Sequence, residues 1–264
     1  MKVSIIQTHL HWENPEKNRD HFDSLMSSIK EKTDLIILPE MFTTGFTMTP
    51  KKLAEPSNGP TLNWLKLKAK EKDAVLTGSV VIEENGKFYN RLFWTEAGGA
   101  IDTYDKRHLF RMAHEEEHYS MGTKKIIKTI NDWRICPLIC YDLRFPVWSR
   151  NKFLKNNGSY TPSYDVLVYV ANWPEVRSHA WKQLLIARAM ENQCFVVGVN
   201  RIGSDGNNMP HSGDSMVINP RGEIISKIKA NEESIETIEL DKSYLEEYRK
   251  IFPVGLDADD FTLL

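Results

Sequence analysis

The chain has 264 residues, 41% of them hydrophobic, with seven Trp, a formal net charge of −2 and a pI near 6.5. Such a chain can bury a sizeable core, and its near-neutral balance gives no electrostatic reason to expect nucleic acid or an acidic membrane surface as partner. The three Cys, an odd number and scattered apart from 136 and 140, argue against a disulfide scaffold and fit a reducing compartment.

The N-terminal MKVSIIQTHLHW has a single Lys, a short apolar stretch and no small-residue cleavage site, and no apolar run is long enough to span a bilayer, so a cytosolic location is expected. Val3 to Gln7 reads as a first strand. Asn14 as N-cap and Pro15 at the first helical position open a helix whose Phe22, Leu25, Met26 and Ile29 fall on one buried face. A strand from Asp34 to Pro39 leads to Glu40, followed by a loop through Pro50, Pro56 and Pro60 to a helix around Trp64 to Lys72. Ala74 to Ile82 and Lys87 to Thr95 flank Asn85-Gly86, a hairpin signal. Later, Asp165 to Ala171 reads as a buried strand, Ser178 as the cap of a helix running to Gln193, and Cys194 to Asn200 as another strand. A hairpin around Pro220-Arg221-Gly222 precedes a strand near Ile235 to Leu240 and a short helix. This is an α/β pattern with no linker or low-complexity segment. It fits two sheets packed face to face under helices, and it fits a doubly wound sheet equally well.

Three segments share one design. The apolar run Ile135 to Ile139 ends in Cys140 and breaks at once into Tyr141-Asp142-Leu143-Arg144. Asp34 to Pro39 ends in Glu40, and Ala100 to Asp105 ends in Lys106. A thiol, a carboxylate and an ammonium at strand exits make a plausible constellation for nucleophilic catalysis, whereas each alone reads more simply as core filler, turn or solvated end. Cys136, within its strand, and Cys194, at the start of CFVVGVN, read as packing residues. One further run, His114-Glu115-Glu116-Glu117-His118, fits H-E-x-x-H, which binds zinc when a well-formed helix carries it. Little helical periodicity flanks it and no third ligand is indicated nearby, so a solvated acidic loop is the simpler reading and no metal is expected.

Taken together, LPEMFTTGF, YDKRHLF and PLICYDLRFPVWSR, in that order, resemble the nitrilase (carbon–nitrogen hydrolase) superfamily. VANWPEVRSHAWKQLLIARAMENQ and HSGDSMVINPRGEII extend the resemblance over nearly the whole chain, and CYDLRFPVWSRN and KRHLFRMA are most similar to bacterial ω-amidases. The resemblance implies a four-layer α-β-β-α sandwich, a single domain over residues 1–264, and a homodimer. The segment from about 251, Ile251 to Asp257, has no helical period and could extend across a neighbouring subunit.

The resemblance also implies roles. Cys140 is the nucleophile, Glu40 the base, and Lys106 with the Tyr141 N–H the stabiliser of the oxyanion. The family's second glutamate, shortly before a Tyr or Phe and a Gly, falls in register on Glu115, with Glu116 and Glu117 as solvated neighbours. The expected reaction is hydrolysis of the terminal amide of a short α-keto dicarboxylate monoamide, such as 2-oxoglutaramate or 2-oxosuccinamate, with no cofactor. Arg144 is placed to grip a substrate carboxylate, or else to fix its turn through Asp142, and Phe42, Trp94 and Trp173 are candidates for pocket walls. An amidase for N-carbamoyl or larger substrates, nitrile hydrolysis and a noncatalytic binding protein on the same fold are the alternatives.

Overall fold

The computed structural model describes residues 1–157 and 159–262. Alternation along the strands divides the core. In Lys2–Gln7 and Leu35–Ile37, Val3, Ile5, Leu35 and Ile37 point to one apolar cluster, whereas Ile6, Ile36 and the following Leu38 point to another. With a side-chain period of two, each strand therefore buries both faces.

The first sheet has the order Ser234–Glu239, Lys2–Gln7, Leu35–Ile37, Val75–Glu84, Lys87–Thr95, Ile101–Asp105, with Glu55–Pro56 added alongside Val75–Glu84. The second has the order Met216–Ile218, Phe195–Asn200, Val166–Ala171, Trp133–Ile139, Lys128–Ile130. Inner-face residues of both sheets, among them Trp94, Tyr104, Ile135 and Val168, form one cluster, so the sheets pack face to face. Helices Pro15–Ser28 and Pro60–Lys72 cover the outside of the first sheet through Phe22, Met26, Leu62 and Leu65, and helix Ser178–Asn192 covers the second through Trp181, Leu185 and Ala189. The result is the α-β-β-α sandwich.

Local signals were accurate where they were chemical. Asn14 Oδ1 accepts from Lys17 N at 3.1 Å, and Asn85 and Gly86 turn the hairpin with φ of 54° and 73°. Three readings need correction. Pro50 and Pro60 each begin a helix, Pro50–Leu53 and Pro60–Lys72, because a missing N–H costs nothing at a first helical position. Ser178 lies inside its helix after Arg177, and its hydroxyl donates to Asp214 Oδ2 at 2.7 Å. Helix Lys242–Ile251 is followed by a tight turn at Val254–Leu256 that packs on the chain's own hairpin, Phe153–Asn156 with Ser159–Pro162, so the tail is less extended than expected.

Asp165 anchors that end of the molecule. Fully buried, it accepts from Arg134 Nη2 at 2.9 Å, Lys242 Nζ at 2.9 Å and Arg249 Nη1 at 2.6 Å. Burial alone would raise its carboxyl pKa, but hydrogen bonds from Arg134, Arg249 and Lys242 outweigh it and hold the carboxyl well below the usual range. The depressed folded pKa means that the associated stability is present above the unfolded value of about 3.9 and disappears as pH falls through the folded one. Asp165→Asn should therefore cost about 3–5 kcal/mol at pH 7, since it leaves the buried Arg249 and the half-buried Arg134 and Lys242 without their shared anion. In urea denaturation the gap from wild type should narrow below about pH 4; a variant within about 1 kcal/mol of wild type at pH 7 would contradict this.

Candidate active site

Strand exits assemble the site. Glu40 follows Leu35–Ile37, Lys106 follows Ile101–Asp105, Cys140 follows Trp133–Ile139, and Asn172 follows Val166–Ala171. Lys106 Nζ donates to Glu40 Oε1 at 2.9 Å and to both Glu115 oxygens, at 3.0 and 2.9 Å. Glu40 is clamped further by Asn90 Nδ2 at 2.8 Å and by the Asn172 N–H at 2.8 Å. The Phe110 N–H fixes Glu115 at 2.6 Å. Gly122 closes the loop that carries Glu115: its N–H donates to Lys106 O at 2.9 Å, and an added Cβ would sit 2.1 Å from Asp105 O. No larger residue fits there.

Cys140 heads the short 3-10 turn Cys140–Arg144 with φ of 43°, a left-handed conformation that costs a non-glycine residue about 1–3 kcal/mol. Asp142 holds the elbow. Its carboxylate accepts from Ile139 N at 3.1 Å, His108 N at 3.0 Å and Tyr104 OH at 2.7 Å, and His108 Nδ1 lies 2.8 Å away. His108 in turn stacks on Phe145 at 3.8 Å. As the second residue of the turn, Tyr141 presents an N–H with no intrahelical carbonyl to receive it.

Electrostatics link these groups. Burial by itself would favour the neutral amine of Lys106, but Glu115, Glu40 and the Cys140 sulfur overcome it and raise its pKa. Burial, then the Glu40 carboxylate, push the Cys140 thiol well above its ordinary value against the opposing pull of Lys106. Burial also raises the Glu115 carboxyl, opposed by Lys106 and reinforced by Glu40. Two carboxylates around one ammonium leave room for one proton, so the cluster can take the proton that the thiol must lose.

The other sequence candidates sort by environment. Glu116 and Glu117 pair outward with Arg111 and His114, while Glu115 is fully buried on Lys106. His114 adopts a left-handed cap (φ 58°) ahead of the single turn Glu115–His118, so His114 and His118 do not share a helical face and the H-E-x-x-H register is not formed. Arg144 is exposed, and its guanidinium lies 5.0 Å over the Trp173 ring. Asp142, its suggested ion-pair partner, is occupied by the four contacts above. Phe42 is not a pocket wall. The chain turns at Met41 (φ 41°), and Phe42 docks over Gly78 in the outer core against Phe22 and Trp64, with ring centroids 5.4 and 5.8 Å away. Trp94 is likewise buried between the sheets. Burial pushes the Cys136 thiol up to about 12 and raises that of Cys194 as well.

Sequence reasoning missed Asn90, Asn172, His108, Phe46 and Phe110. Phe46 places its ring 5.0 Å from Lys106 Nζ, and Phe110 meets Tyr141 edge-on at 5.0 Å. The one available signal was a polar residue within an apolar strand, as in Asn90 of FYNRLFW; the others depend on tertiary contacts alone. A cleft of about 470 Å³ at the opposite end of strand Trp133–Ile139, lined in part by Arg134, Asp165, Lys242 and Arg249, lies away from this chemistry, and there the three cations share the Asp165 carboxylate.

A buried Glu–Lys–Glu cluster beside a thiol on a strained turn, between two packed sheets, defines a class of hydrolase. The chain belongs to the carbon–nitrogen hydrolase family, whose profile matches residues 2–250. It is 45% identical to the ω-amidase YafV of Escherichia coli K12 over 100% of this chain and 98% of that one. It is 32% identical to the 2-oxoglutaramate amidase of Bacillus subtilis, with 96% of this chain and 95% of the relative covered. Among solved structures it superimposes on XC1258 of Xanthomonas campestris, a CN-hydrolase superfamily protein with an arsenic adduct in its active site, with a TM-score of 0.96, 41% identity and coverage of 100% and 99%.

Proposed function

We propose that the protein is an ω-amidase acting on short α-keto dicarboxylate monoamides such as 2-oxoglutaramate, with Cys140 as nucleophile. The full-length similarity to YafV and to the 2-oxoglutaramate amidase supports the substrate class. The observation that carries the chemistry is the Lys106 ammonium held between Glu40 and Glu115 beside the thiol, a charge arrangement for which a noncatalytic scaffold has no use.

In this mechanism the Cys140 sulfur attacks the amide carbon as Glu40 takes the thiol proton. The oxygen that gains charge is stabilised by Lys106 and the Tyr141 N–H. Glu40 passes its proton to the leaving nitrogen, and ammonia departs from a thioester. Water then attacks the thioester with Glu40 as base, and the expelled sulfur recovers a proton. Glu115 keeps Lys106 charged and in place throughout.

Arg144 is the proposed grip for the substrate carboxylate. Among the described residues no acid pairs with it, and Trp173, itself held by its indole N–H on Arg177 O at 2.8 Å, supports the guanidinium plane. Loss of a charge-assisted bidentate contact is expected to cost on the order of 1.5–3 kcal/mol, a ten- to hundredfold drop in kcat/KM for 2-oxoglutaramate. Arg144→Lys should rescue this only in part, because an ammonium lacks the fork. Measurement of kcat/KM for charged and uncharged amides on wild type, Arg144→Ala and Arg144→Lys tests the assignment. An equal loss on both substrate types would make Arg144 a scaffold residue and favour an amidase for other substrates.

The assembly we infer is a homodimer in the cytoplasm. Family likeness supports the first, and three unpaired thiols support a reducing compartment. Among the described residues no helix is long and apolar enough to cross a membrane.

A further inference from the structure

Three imidazoles converge at a point that the amidase chemistry does not use. His9 and His11 lie in the loop after strand Lys2–Gln7, and His21 lies on helix Pro15–Ser28. The ring centroids of His9 and His21 are 4.4 Å apart, those of His9 and His11 5.1 Å, and those of His11 and His21 5.7 Å. One ligand atom from each can be chosen so that all lie within 4.8 Å of one another. A carboxylate borders two of them: His9 Nδ1 and His21 Nε2 each stand 3.3 Å from Glu233 Oε2.

We propose that His9, His11, His21 and Glu233 form a structural site for a divalent transition-metal ion, Zn²⁺ being the ion that the donor set fits. Three imidazole nitrogens and one carboxylate oxygen form a closed four-coordinate set for that ion. Ligands held at about 2.0–2.2 Å around a tetrahedral ion lie roughly 3.4 Å from one another, a spacing that Glu233 already makes with His9 and His21. The wider gaps, that between His11 and His21 included, must close by side-chain rotation; His9 is exposed, and His11 and His21 are half-buried.

Neighbouring bonds hold these groups in place: Thr8 Oγ1 donates to Glu233 and lies 2.7 Å from His21 Nε2, a contact that an ion on that nitrogen would replace, and Asn18 fixes the His11 backbone, its Oδ1 accepting from the main-chain N–H at 2.8 Å and its Nδ2 donating to the carbonyl at 2.7 Å. An ion here would tie together the loop after the first strand, the first helix and the segment entering the edge strand Ser234–Glu239. Among the described residues none of these four side chains bonds to Glu40, Lys106 or Cys140, so the ion would act as a clamp, apart from the reaction.

The test uses full-length protein without a polyhistidine tag, in a Cys140→Ala background so that the reactive thiol cannot bind metal. Equilibrium dialysis with Zn²⁺ should give one equivalent bound, Zn²⁺ should raise Tm, and Co²⁺ should show the intense visible bands of four-coordinate nitrogen and oxygen ligation. His9→Ala and His21→Ala should each weaken Zn²⁺ binding by about a hundredfold or more, since each removes a ligand. His9 is exposed, so His9→Ala remains informative if His21→Ala fails to fold. Substoichiometric binding in the parent, or affinity unchanged in His9→Ala, would overturn the proposal.

Discussion

Cys140→Ala is expected to lower ammonia release from 2-oxoglutaramate by at least about a thousandfold, because the thioester route has no other nucleophile. The fold should persist, since the change removes one sulfur from a turn held by Asp142 and Tyr104. Cys136→Ala and Cys194→Ala are the controls. Both thiols are buried among apolar neighbours and held protonated, so their variants should keep most of the activity and lose stability in proportion to the small void created. Steady-state assays with circular dichroism on the three variants check this. Near-normal turnover by folded Cys140→Ala would end the proposed mechanism.

Glu115→Gln should reduce kcat by about a hundredfold or more, an effect of the size seen when an oriented electrostatic partner is removed from a buried site. The amide preserves shape and can still accept the Phe110 N–H, but it no longer compensates the charge of Lys106. The ammonium is then drawn fully onto Glu40, which makes that carboxylate a weaker base. Glu116→Gln and Glu117→Gln alter only outward pairs with Arg111 and His114, and should stay within about twofold of wild type. A parallel decline across all three variants would point to the charge of the loop as a whole and remove the special place of Glu115.

Much of this was written in local chemistry. The strand exits at Glu40, Lys106 and Cys140 could be read because an apolar run that stops at a polar, reactive residue is a one-dimensional pattern, and the Asn14-Pro15 and Asn85-Gly86 signals are set by backbone geometry over a few residues. The family motifs extended that reading to the sandwich, which periodicity alone could not separate from a doubly wound sheet. They also picked out Glu115 from three consecutive glutamates, and the contact with Lys106 agrees with that register.

Other features are decided only by how distant segments meet. Phe42 reads as a pocket aromatic from its place two residues after Glu40, yet the turn at Met41 directs it into the outer core, a choice that depends on the space above Gly78. Arg144 and Asp142 look like ion-pair partners two residues apart, but His108 and Tyr104 arrive from another strand exit and saturate the carboxylate first. Asn90 and Asn172 clamp Glu40 from both sheets, and His9, His11, His21 and Glu233 converge from three segments. The sequence by itself therefore determined the reactive groups and the elements that carry them, because those are local properties of composition and period. The orientation, charge state and partners of those groups were decided by tertiary structure, because burial and hydrogen bonding depend on residues brought near only when the two sheets close.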